Sequence, residues 1–142
     1  MNRFIIALIT VCALTGCFSE ERHAAPEDVA LAFFSAIYVD NQPQQAMALV
    51  SPELKEVMVH YQLASQIQRN MLGLALSDTK VWLGDVDADF FRRSSDAVKV
   101  LIQLEGYRGQ QLVREDRLLR LTHSADGWII DKLYDDPFSN NG

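Results

Sequence analysis

Val98-Lys99-Val100-Leu101-Ile102-Gln103-Leu104-Glu105 sets Val98, Val100, Ile102 and Leu104 against Lys99, Leu101, Gln103 and Glu105. Successive side chains of an extended chain point to opposite faces, so this period of two predicts a strand with one buried face. Working outward, residues 106–109 carry two glycines and predict a turn. Residues 110–122 follow as a strand with Val113, Leu119 and Leu121 on one face. Ser124-Ala125-Asp126-Gly127 is hairpin-turn chemistry, and Trp128-Ile129-Ile130-Asp131-Lys132-Leu133-Tyr134 closes the sheet. Upstream, Arg93-Ser94-Ser95-Asp96 predicts another turn. Before it, Val81 and Leu83, then an irregularity at Gly84-Asp85, then Val86, Ala88 and Phe90 make the first strand. Four strands joined by short turns are an antiparallel meander.

Ahead of the sheet the apolar spacing changes to three and four. Pro26 opens a helix with Glu27 and Asp28 in its first turn, where acids suit the helix dipole. Val29, Ala30, Phe33, Phe34 and Ile37 form its apolar stripe, which stops near Asp40-Asn41-Gln42-Pro43. Residues 44–50 predict a second, short helix. Ser51-Pro52-Glu53-Leu54 predicts a third, with Ser51 as cap and Pro52 in the first position, running to about Leu72 and ending at Gly73. Three N-terminal helices on a curled four-stranded antiparallel sheet are an α+β, cone-like layout. This order, with the Ser-Pro-Glu-Leu start and the closing Gly127-Trp128-Ile129-Ile130-Asp131-Lys132-Leu133, resembles the nuclear transport factor two-like and SnoaL-like cone over residues 26–134. A cystatin-like wrap around one long helix is the alternative.

The amino terminus has a different character. Met1-Asn2-Arg3 precedes the apolar run Phe4-Ile5-Ile6-Ala7-Leu8-Ile9-Thr10-Val11-Cys12-Ala13-Leu14, and Leu14-Thr15-Gly16-Cys17 ends it. The run is short of the roughly 20 apolar residues of a spanning helix. A basic start, an apolar stretch and small residues before a processing point are a signal peptide. Leu14-Thr15-Gly16-Cys17 resembles the lipobox of bacterial lipoproteins. That resemblance implies cleavage between Gly16 and Cys17, a diacylglycerol on the Cys17 thiol, and anchoring to a lipid bilayer. Phe18, where inner-membrane lipoproteins commonly carry Asp, implies the outer membrane, facing the periplasm. The expected organisation is a signal peptide over 1–16, a lipidated tether over 17–25, a cone domain over 26–135 and a flexible tail over 136–142.

Removing residues 1–16 takes away Arg3 and no acid, so the formal charge passes from −6 to −7. An acidic chain is a poor electrostatic partner for nucleic acid or anionic headgroups, so the expected membrane contact is the acyl anchor and not a basic face. The two cysteines are Cys12, discarded, and Cys17, acylated, which leaves no thiol for catalysis or a disulfide.

Candidate chemistry is sparse. His60 follows the apolar edge Val57, Ala64, Ile67 and Met71, so with Tyr61 and Trp82 it is the candidate pocket group and the one candidate general base. His23 falls in the tether and His123 beside a turn. Asp85, Asp87 and Asp89 alternate along a strand; a divalent cation is one reading and a solvated sheet face the favoured one. Arg114, Asp116 and Arg120 predict cross-strand ion pairs. Trp82, Tyr107 and Trp128 are either pocket or core. No phosphate loop, nucleophile triad or Cys-His metal spacing is present, so no catalytic residue, metal or cofactor is assigned. The expected function is a non-enzymatic domain that binds an envelope protein or a small apolar ligand. A periplasmic enzyme using His60, or an accessory subunit of an envelope assembly, are the alternatives.

Overall fold

The structure, a computed structural model, describes residues 24–84 and 97–134. Helix α1 (Pro26–Tyr38) starts on a proline whose missing N–H costs nothing in the first turn, and Ala25 O accepts from Val29 N at 3.1 Å. Its stripe buries Phe33, Phe34 and Ile37 completely, each contributing roughly 1.5–3 kcal/mol. Phe33 and Phe34 meet edge to face at 5.3 Å. The short helix α2 (Pro43–Met47) buries Pro43 and Ala46. Helix α3 (Pro52–Tyr61) is capped as expected, Leu54 N donating to Ser51 Oγ at 3.4 Å, and it buries Met58.

The third helix does not run on to Leu72. Gln62 takes φ 61°, ψ −38°, and the chain restarts as α4 (Ala64–Gln66), which passes into a π-helical turn (Ile67–Met71). The reason is phase. At 3.6 residues per turn, nine residues leave Ile67 about half a revolution from Met58. A continuous helix would point one of them at water, whereas both have 0% exposure here. The π turn, with Leu72 N donating to Ile67 O at 2.9 Å, brings Ile67 and Leu72 to the buried side together. Gly73 ends the segment at φ 63°, as its sequence position predicts.

The sheet has the order β1-β2-β3-β4, all antiparallel and open. Its strands are β1 (Ser77–Leu83), β2 (Ala97–Arg108), β3 (Gln111–Ser124) and β4 (Gly127–Tyr134). Val100, Ile102 and Leu104 of β2, Leu119 and Leu121 of β3 and Ile130 of β4 form the buried face under the helices. Residues 106–108, expected in a turn, lie within β2. Gly106 is there for space: a Cβ at that position would come within 2.9 Å of Ser77 O. The Ser124–Gly127 hairpin forms as expected, with Ser124 Oγ donating to Gly127 O at 2.8 Å. At the β4 edge, Ser51 N donates to Ile130 O at 2.8 Å and Ile130 N to Leu49 O at 2.9 Å, which ties the α2–α3 link to the sheet. Core side chains among the described residues run from Val29 to Leu133, so a chain beginning at residue 18 keeps all of them.

Several sequence expectations fall outside the described residues. They are Gly16 and Cys17, residues 17–23 of the tether with His23, the strand residues Val86, Ala88 and Phe90, Asp85, Asp87 and Asp89, the turn at 93–96, and the tail. Among the described residues no helix is long and apolar enough to cross a membrane.

Candidate functional site

Between the helix layer and the sheet, Phe33, Phe34, Ile37, Met58 and Leu104 pack in one buried core among the described residues. A partly open space bordered by Phe34, Met71, Leu72, Arg117 and Leu133, and by Leu118 and Tyr134 of the outer face, amounts to about 10 Å³, room for about one water molecule. Three polar side chains approach this region. Glu115 and Arg117 share the strand parity of Leu119 and Leu121, so the alternation that buries those leucines also turns the two charged groups inward. Tyr38, on the last turn of α1, donates its hydroxyl to Leu74 O at 2.6 Å. Burial pushes the Tyr38 hydroxyl well above the ordinary phenol value of 10.0; Arg117 draws it down and Glu115 pushes it further up. Tyr38 is a structural tie between α1 and the start of the sheet, and its proton is held in place at neutral pH.

Nothing in the sequence singled out Tyr38. Its position four residues after Phe34, at the end of the apolar stripe, was the available signal; the rings stack at 6.1 Å.

The residues expected to form a pocket are not brought together. His60 is exposed on α3 and its ring meets Tyr61 edge to face at 5.2 Å, while Tyr61 packs against the core. Trp82 pairs in register with Gln103, on the sheet face away from the helices, and its Nε1 donates to Gln103 Oε1 at 2.6 Å. The helix phase explains His60: it falls two residues past buried Met58, about 200° round the axis. Trp128 packs against the core and meets His123 edge to face at 5.1 Å, whereas Tyr107 is 41% exposed. Among the described residues no group of three or more His, Cys, Asp or Glu could hold a metal ion.

A wider depression of about 330 Å³ lies open to solvent between Asn41, Ser65, Gln68, Arg69 and Tyr107. The π turn contributes Gln68 and Arg69 to its lining. Gln68 Nε2 donates to Ile37 O at 3.2 Å, and Gln68 Oε1 accepts from Leu76 N at 3.2 Å, so this side chain is committed to the scaffold.

The outer sheet face carries the expected cross-strand ion pairs. Arg114 reaches Glu105 across β2 and β3. Arg120 holds Asp131 in two parallel hydrogen bonds of 2.9 and 2.8 Å, which raises the Arg120 pKa further above its already high ordinary value.

No protein-family model matches the chain, nor does any curated protein or any solved structure.

Proposed function

We propose that this chain is a lipid-anchored envelope protein whose α+β domain binds another envelope protein through its surface, without catalysis of its own. The anchor half of the reading rests on Leu14-Thr15-Gly16-Cys17 and on the apolar run before it. Helices first and sheet second, in a four-strand meander, support the nuclear transport factor two-like resemblance.

The observation that carries the binding half is the packed core of the described residues. Small-molecule sites usually enclose about 300–1,000 Å³, and the space bordered by Phe34, Met71, Leu72 and Arg117 is about 10 Å³. A domain whose centre is packed with Phe33, Phe34, Ile37, Met58 and Leu104 offers its outside to a partner. Exposed apolar side chains at the α3 end, Val57, Val59 and Leu63 at 43%, 48% and 60%, are available to one. A small ligand is the second reading, favoured by the depression of about 330 Å³ beside Arg69; native mass spectrometry of the purified protein distinguishes it.

Fatty-acid labelling of the wild-type chain and of Cys17→Ser tests the anchor. Labelling is expected in the first and absent in the second; equal labelling refutes it. Crosslinking in intact cells, followed by purification of the acylated protein, tests the partner reading, which predicts a stoichiometric protein adduct lost on Leu63→Asp.

A further inference from the structure

The strand register gathers charge that composition disperses. Lys99 of β2 stands opposite Arg120 of β3, and Arg120 stands opposite Lys132 of β4, a row of three cations straight across the outer face. Like charges directly opposite one another on a sheet repel, and each of these three has a contact that offsets the repulsion. Asp131 neutralises Arg120 alone. Lys99 and Lys132 are both exposed, and neither is in an ion pair among the described residues. Their ammonium groups converge instead on one ring, at 5.4 and 4.6 Å from the centre of Tyr134. Apolar rows flank the cations: Leu101, Leu118 and Tyr134 on one side, Ala97, Thr122 and Ile129 on the other.

We propose that this outer face, with Lys99, Lys132 and Tyr134 at its centre, docks on the anionic phospholipid headgroups of the membrane that carries the protein. Two ammonium donors on a shared aromatic ring suit phosphodiester oxygens, and tyrosine favours the level of the headgroups. The whole chain has 19 acids against 13 Lys and Arg, so approach to an anionic surface favours a face where cations gather, as they do here among the described residues. This inference rests on the lipid-anchor reading for proximity: nine residues from Cys17 to Pro26 reach at most roughly 30 Å.

The test separates the two. A chain beginning at residue 18 has no anchor and keeps every described core side chain; circular dichroism verifies its fold. Its binding to vesicles of mixed phosphatidylglycerol and phosphatidylcholine is measured by sedimentation at low ionic strength. Lys99→Gln with Lys132→Gln is expected to weaken binding about 30-fold, near fivefold for each lysine. Lys55→Gln with Arg69→Gln removes the same charge from elsewhere and is expected to change it less than twofold. Pure phosphatidylcholine vesicles are expected to bind none of the chains. Equal loss in the two double variants reduces the effect to net charge and overturns the proposal. Absence of wild-type binding to anionic vesicles overturns it too, and leaves an acidic protein as the partner of this face. Loss of the Cys17 acyl group would sink the anchor without altering any of these outcomes.

Discussion

Replacing Tyr38 by Phe removes one oxygen and tests the tie between α1 and the segment leading into β1. The hydroxyl is buried and donates to Leu74 O at 2.6 Å, across 36 residues of sequence. A typical hydrogen bond contributes about 0.5–1.5 kcal/mol net, and leaving a buried carbonyl unpaired costs about 1–3 kcal/mol. Tyr38→Phe is therefore expected to lower unfolding stability by about 1–3 kcal/mol at neutral pH, read from urea midpoints at unchanged slope. Alkaline titration supplies a second readout. The folded pKa of Tyr38 is raised above its unfolded value of 10.0, so its contribution is fully present below pH 10 and is lost as pH rises from there toward the folded value. Above pH 10 the gap between wild type and Tyr38→Phe should narrow by about 1.4 kcal/mol per pH unit. Other tyrosines and lysines titrate in both chains and cancel in the difference. A variant as stable as wild type at neutral pH, or a gap that stays constant through pH 11, would refute the burial and bonding of this hydroxyl.

Gly106→Ala forces a Cβ to within 2.9 Å of Ser77 O and 3.0 Å of Leu76 Cβ, and the strand pair must part to admit it. A loss of about 1–3 kcal/mol is expected in thermal or urea unfolding, and a neutral result would contradict the close β1–β2 approach. Gln62→Gly goes the other way. It relieves a side chain held at φ 61°, ψ −38°, against a smaller entropic cost in the unfolded chain. A gain of about 1 kcal/mol, seen as a higher melting temperature, is expected; a loss would mean that the Gln62 side chain stabilises the break.

Legibility in the sequence followed the range of the forces involved. The period-two run of β2 is visible because the sheet it belongs to is half covered, and each residue reports its own face. Ser51 and Pro52 mark a helix start because capping is settled within three residues. The Ser124–Gly127 hairpin is equally local. Between Tyr61 and Ala64 that logic failed. Local apolar spacing permits one long helix, and only the position of the sheet requires Met58 and Ile67 to face the same core. His60, Tyr61 and Trp82 lie apart for the same reason, since which side of a sheet a tryptophan occupies is fixed by its partner strand.

By itself the sequence determined the α+β class, the order of helices before strands and the Ser124–Gly127 hairpin. Each of these depends on neighbours within a few residues. Tertiary structure alone decided that Met58 and Ile67 share one core, that Glu115 and Arg117 turn inward beside Tyr38, and that Lys99, Arg120 and Lys132 stand in one row. An average charge of −6 gives no hint of that row. Register places residues 12 or more positions apart directly opposite one another, and a sum over the chain cannot record which charges end up side by side.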